Sequence, residues 1–150
     1  MTGESAPVLI ERRGSVAVIT LNRPEVHNAQ NSAMLYALDE AFYGFVDDDE
    51  LKVAVVRGAG GSFSSGHDVG SSGVDYDRSF DRRTLWWDHV GKVAGDQWLA
   101  RESEVYLGFC RRWREIPKPT IAMVHGACIA GGLMLAWSCD LILEIGRAHV

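Results

Sequence analysis

Short β-branched runs open the chain. Residues 8–12 read VLIER and residues 16–21 read VAVITL, with Arg13-Gly14-Ser15 between them, a pattern that predicts a hairpin. Residues 22–29, NRPEVHNA, carry Pro and Asn and read as a loop. Apolar residues then recur at steps of three and four. Leu35, Leu38, Phe42 and Phe45 form one stripe, and Asn31 or Ser32 can cap it, so a helix is expected up to the acidic run Asp47–Glu50. That run lacks the alternating ligand spacing of a calcium loop and reads as a solvated turn. VAVVRG at 53–58 is nearly all apolar and predicts a strand buried on both faces. Strand, helix and buried strand make a crossover unit, which places the chain in the α/β (α+β) class.

The second half is patterned less evenly. Gly, Ser and Asp at 70–78 suggest a loop. Trp86, Trp87 and Trp98 follow without a clear period; they either fill a local core or wall an apolar ligand pocket. EVYLGFCRRWREI, 104–116, reads as a helix running into Pro117-Lys118-Pro119. TIAMV (120–124) predicts another buried strand, HGACIAGG (125–132) a glycine-rich turn and LMLAWSCD (133–140) an apolar helix.

Composition narrows the partners. The 150 residues are enough for one domain with a real core, 47% of them apolar and 23% charged. A formal charge of −5 argues against nucleic acid or an anionic membrane as the main partner. The one dense basic run, RRWRE at 111–115, reads as a solvated helix face. Three cysteines, Cys110, Cys128 and Cys139, form no C-x-x-C pair and read as reduced thiols. With no signal-peptide pattern at the start and no apolar stretch of ~20 residues, a cytoplasmic location without membrane partners is expected.

The stretch GSFSSGHD, residues 61–68, carries the candidate chemistry. A nucleophile elbow needs G-x-S-x-G, and Ser62 stands where the first glycine is required. A phosphate-binding Walker loop needs a lysine that is absent. A metal site would leave adjacent His67 and Asp68 dependent on His89 or His125 arriving through the fold. No metal is expected. What remains is backbone: two glycine-bearing turns each follow a buried strand, and the second opens a helix at Gly131 and Gly132. Such turns either simply make tight connections or aim two N–H groups at one oxygen, an oxyanion hole.

VAVITLNRPEVHNA, GSFSSGHD and IPKPTIAMVHGACIAGGLMLAWSCDLI together resemble the crotonase superfamily of enoyl-CoA hydratases and isomerases, from about residue 8 to residue 143. Residues 70–104 match poorly. The resemblance implies a spiral of repeated ββα units, an acyl-CoA thioester ligand with no separate cofactor, a role in fatty acid metabolism, and a homotrimer or hexamer. It implies an oxyanion hole built by the backbone N–H groups of His67 and Gly131. It places Val26, His27, Asn28 and Ala29 along the CoA, and Ser65, Gly66, Asp68, Val69, Gly70 and Gly132 at the substrate.

One departure bears on the reaction. Three residues beyond Gly131, where hydratases of this family carry a glutamate, stands Met134, a substrate-contacting position that cannot move a proton. Two-glutamate hydration is therefore not expected. Another thioester reaction (isomerase or lyase) with His67, His89, Asp68 or Asp88 as substitute acid or base, or a non-catalytic acyl-CoA binder, remains open. Trp86, Trp87, Trp98 and Trp113 suggest a bulky acyl group. Residues 1–143 read as an N-terminal fragment of such a domain, one expected to leave apolar faces exposed. Residues 144–150, EIGRAHV, can be spelled GAG ATC GGA AGA GCA CAC GTC and read as translated sequencing adaptor. A longer read of the locus should replace these seven residues; finding them inside continuous coding sequence refutes the adaptor origin.

Overall fold

The computed structural model describes residues 6–76, 78, 80–81, 89 and 91–146. The predicted hairpin forms: β1 (Val8–Arg13) pairs antiparallel with β2 (Val16–Leu21), and Gly14 turns between them at φ 61°. After a short 3₁₀ turn at Pro24–Val26, α1 (Ser32–Asp47) crosses over to β3 (Val53–Gly58), parallel to β2. Two further parallel strands complete a five-stranded sheet in the order β1-β2-β3-β4-β5: β4 (Thr120–Val124) and β5 (Leu141–Glu144). The mixed α/β class read from the pattern is the class observed.

Each helix is set by identifiable residues. Asn31, not Ser32, caps α1, accepting from the Met34 N–H at 2.9 Å. Asp75 reinforces this end from a distant loop, its carboxylate taking the Ser32 and Ala33 N–H groups at 2.7 and 2.8 Å, where the helix dipole favours negative charge. At the other end Lys118 donates to the Phe45 and Asp48 carbonyls at 3.0 and 2.8 Å.

The helix expected at 104–116 is longer at its start. Helical backbone runs from α2 (Ala94–Glu102) through a π-helical turn (Ser103–Gly108) into α3 (Phe109–Arg114). Its first turns contain Gly95 and Asp96 and show no apolar stripe, so the pattern concealed them. It stops two residues short because Pro117 disfavours helical backbone in the residue before it. The last helix, α4 (Gly131–Ser138), begins at the glycine pair rather than after it.

The core lies on one face of the sheet. Leu35, Leu38, Phe42 and Phe45 from α1 meet Phe109 and Trp113 from α3 over Ile19, Leu21, Val56 and Ala122, all at most 3% exposed. Trp113 packs on Phe42 and Phe109 and donates its indole N–H to Asp39 at 3.0 Å. It is a core residue. The basic run around it is a largely solvated face, as its sequence predicts: Arg111, Arg114 and Glu115 are exposed, while half-buried Arg112 pairs with Asp39 and Arg114 donates to the Cys139 carbonyl. β3 corrects a second expectation: Ala54, Val56 and Gly58 are buried, but Val53, Val55 and Arg57 are only half-buried, since the helices cover one face. β5, which no pattern flagged, has all four residues exposed. Among the described residues no helix is long and apolar enough to cross a membrane.

Because Leu38 is fully buried where α1 meets the sheet, Leu38→Ala should cost about 2–5 kcal/mol, read from the urea midpoint.

Candidate functional site

Beyond the sheet, the three connections that leave β2, β3 and β4 are tied to one another by single parallel bridges, Gln30 to His67 and Ser64 to Cys128. Gln30 donates to the Gly66 carbonyl at 2.7 Å and accepts from the Asp68 N–H at 3.0 Å. Ser64 donates to Ala127 at 3.0 Å and accepts from Ile129 at 3.1 Å. The stretch 61–68 is thus the middle of three pieces of backbone, with the 22–30 loop on one side and the 125–132 turn on the other.

This pairing dictates where one N–H points. In an extended run successive N–H groups face opposite sides, and the Asp68 N–H and Gly66 carbonyl are both spent on Gln30. The His67 N–H between them therefore faces away from Gln30. Gly131 is the first residue of α4, so its N–H has no intrahelical partner. Neither N–H has an acceptor among the described residues.

Close approach needs glycine at two positions. Gly66 sits at φ +87°, and a Cβ there would lie 2.5 Å from the Ile129 carbonyl oxygen and 2.9 Å from the Gly131 nitrogen. A Cβ on Gly131 would lie 2.6 Å from Gln30 Oε1, 2.9 Å from Tyr106 Cε1 and 3.1 Å from His67 Nδ1. Ala130, which aims Gly131, is held at φ 46°, ψ −113°, a strained conformation for alanine that costs on the order of 1–3 kcal/mol. The Ile129 and Met134 backbone hydrogen bonds on either side hold it there.

The serines are staples. Ser64 Oγ donates to Asn28 O at 2.8 Å and accepts from the Gly66 N–H at 3.1 Å, while Ser62 Oγ faces His27 Nδ1 at 3.3 Å. Asp68 is equally occupied: its side chain is 2% exposed, paired with Arg23 at 2.8 Å and bonded by the Ser71 hydroxyl and N–H. Burial pushes this carboxyl up, but Ser71 and Arg23 together outweigh it and hold it below the ordinary carboxylate value. Arg23 also donates to Ala29 O at 2.6 Å, so the same ion pair clamps the 22–30 loop. Within that loop His27 and Asn28 both adopt positive φ; Asn28 is buried and bonded to the Ala59 and Ser62 carbonyls, Ala29 is buried, Val26 half-buried and His27 exposed. Ser65 is half-buried, Val69 and Gly70 are exposed, and Gly132 is buried against the Ser64 carbonyl.

The other candidates separate. Met134 is half-buried and lines an apolar groove of about 340 Å³ between α3 and α4, with Leu107, Cys110 and Trp137. His125 bonds to the Gly60 carbonyl at 3.0 Å, and His89 is buried at 3% exposed. Trp98 is half-exposed, edge-on to Tyr76. Asp88, Trp86 and Trp87 lie outside the described residues. Burial pushes the Cys110 thiol up to about 11 and Cys139 up to about 12, so neither offers a thiolate.

Sequence reasoning passed over the polar side chains that collect beside this turn pair. His67 Nε2 lies 2.9 Å from Glu102 Oε2, and its ring stacks on Tyr106 at 3.8 Å. The Tyr106 hydroxyl donates to Gln30 O at 3.1 Å, and fully buried Arg101 reaches Glu102 at 3.3 Å and Ser32 at 3.1 Å. No spacing signals this set, because it comes from three segments. The π turn after Glu102 is the one local feature often found at functional sites.

Known proteins similar to this chain are numerous. The sequence profile described as enoyl-CoA hydratase/isomerase matches residues 16–143. A Mycobacterium tuberculosis protein named "Putative enoyl-CoA hydratase EchA13" is 41% identical over 133 residues, 87% of this chain and 42% of that protein. The mitochondrial delta(3,5)-delta(2,4)-dienoyl-CoA isomerase of Rattus norvegicus is 36% identical over 82% of this chain and 35% of its own length. The crystal structure of a "probable enoyl-CoA hydratase" from Mycobacterium smegmatis superposes with a TM-score of 0.78 at 38% identity, covering 96% of this chain and 50% of that one. The chain thus spans half or less of the length of these relatives.

Asp68→Asn leaves Arg23 buried without its counter-charge and should cost about 3–5 kcal/mol near neutral pH. A carboxyl held below its ordinary value contributes stability that is complete above about pH 4 and is lost as pH falls through the lowered value. Urea unfolding across pH should therefore show the gap between wild type and Asp68→Asn closing below about pH 4.

Proposed function

The chain belongs to the enoyl-CoA hydratase/isomerase family, and from that premise we propose that the protein binds acyl-CoA thioesters and stabilises an enolate on the thioester oxygen with the backbone N–H groups of His67 and Gly131. The observation that carries this reading is the pair of acceptor-free N–H groups on two turns pressed together at Gly66. Charge that develops on a carbonyl oxygen during loss of an α proton is met there by two fixed donors. One of them gains further from the positive end of α4. Each such donor is worth about 2.7–4 kcal/mol in the transition state.

The loop Val26–Ala29 and the exposed Val69–Gly70 flank this pair, and we assign them to the CoA and its pantetheine arm. Ser65, Gly66, Asp68 and Gly132 support the same path by shaping backbone, as their buried or bonded states require. The CoA enters as part of the substrate and no other cofactor is called for. A trimeric or hexameric assembly accompanies this reading. Met134 favours proton-shift chemistry over hydration, since a thioether neither accepts nor donates a proton. An isomerase or lyase outcome is therefore preferred to that of a non-catalytic binder, which would hold the same thioester and turn nothing over.

Gly131→Pro, the obvious way to delete one donor, also pushes carbon into Gln30, Tyr106 and His67, so the ligand is the better variable. An S-alkyl CoA thioether lacking the carbonyl oxygen should bind the full-length protein at least about tenfold more weakly than the matched thioester, a loss of about 1.4 kcal/mol. On binding, the thioester carbonyl stretch should move to lower wavenumber. Equal affinities and an unshifted carbonyl band refute the assignment.

A further inference from the structure

Asp68, Glu102 and Glu104 lie on the segments that meet near the His67–Gly131 turn pair, and their surroundings differ. Asp68 is closed in by Arg23 and Ser71. Glu104 is 1% exposed, with the Tyr36 hydroxyl 3.5 Å away. Glu102 is the accessible one, with a side chain 34% exposed. Both of its oxygens are nevertheless held: Oε2 by His67 Nε2 at 2.9 Å and Oε1 by Arg101 Nη1 at 3.3 Å. A carboxylate in this pair accepts, so His67 carries its hydrogen on Nε2. The His67 ring is held by Tyr106 stacked on its face at 3.8 Å and by Glu102 at its Nε2 edge. One imidazole therefore links Glu102 to the residue whose N–H is offered to the substrate oxygen.

A second, independent feature points to a ligand at the same place. The Gln30 side chain is 1% exposed, and neither its Oε1 nor its Nε2 has a hydrogen-bond partner among the described residues. Its Oε1 is directed at Gly131, 2.6 Å from where a Cβ would stand. Buried amides are nearly always satisfied, so an unpartnered one beside two acceptor-free N–H groups marks a polar ligand position.

We propose that Glu102 is the catalytic carboxylate of this site, oriented by His67 and Arg101, and that it carries the proton in the isomerase outcome preferred above. The proposal rests on the acyl-CoA reading above. Glu102 takes a proton from the carbon α to the thioester. The C–H electron pair becomes the enolate double bond, and the carbonyl pair moves to the oxygen held by His67 and Gly131. The proton on half-exposed Glu102 exchanges with solvent, the dienolate recovers a proton from Glu102 at its γ carbon (or, in reversal, at the α carbon), the double bond moves into conjugation, and the carboxylate is restored. Nothing is consumed, whereas hydration would need a second group for water that Met134 does not supply.

The test uses full-length protein with straight-chain 3-enoyl-CoA thioesters, following conjugation by absorbance and wash-in of deuterium at the α carbon by mass spectrometry. Wild type should isomerise and exchange. Glu102→Gln should lose about 10²-fold or more in kcat with thioester affinity unchanged. Glu102→Asp keeps the charge but withdraws it, and should lose at least about tenfold. It decides the matter if the glutamine variant no longer binds. Unchanged turnover in a binding-competent variant, or a wild type that hydrates without isomerising, overturns the proposal and leaves the acyl-CoA reading standing. A wild type that neither binds thioester nor exchanges overturns both.

Discussion

Two single-residue parallel bridges govern the rest of this structure. Gln30 with His67 and Ser64 with Cys128 stitch three connections that are far apart in sequence into one layer above the sheet. Each bridge uses two backbone hydrogen bonds, and the alternation of an extended chain then decides which N–H groups are left over. The leftover group at His67 is a by-product of satisfying Gln30, not of any side chain. The serine hydroxyls and the Asp68 carboxylate of the same motif are meanwhile spent on holding neighbouring backbone and Arg23.

Such a layer is weak unless it is held from the flanks. Arg23 does this by joining Ala29, Asp68 and Ser71 through one guanidinium, whose planar fork suits several acceptors at once. Asp75 ties the following segment to the start of α1, and Asn28 ties the first loop to the motif's own carbonyls. The rigidity so obtained is what allows Ala130 to stay in a strained conformation at the mouth of α4. Stability made by the ion pair and the core thus tolerates local strain at the start of α4.

Strands β1 to β4, α1 and the two glycine turns were legible because their signals are local. β-branched runs, a three-four apolar stripe around Leu38 and a capping Asn31 each act within a few residues. The start of α2 was not legible, because Gly95 and Asp96 give no stripe and the helix is stabilised by Arg101 and Tyr106 packing elsewhere. Trp113 suggested a ligand wall by type alone, yet the Asp39 carboxylate reached by its indole N–H makes it a core residue. Asp68 and the serines attracted attention as chemistry and turned out to hold backbone.

By itself, the sequence determined the family, the α/β class and the positions of the two glycine-bearing turns. These depend on residue type at fixed positions along the chain. Only the tertiary structure decided that Glu102 meets His67, that the buried Gln30 side chain has no partner among the described residues, and that Asp68 is spent on Arg23. Those contacts join residues 35 or more positions apart, and spacing along a chain carries no information about which side chains the sheet and its crossovers bring within hydrogen-bond distance.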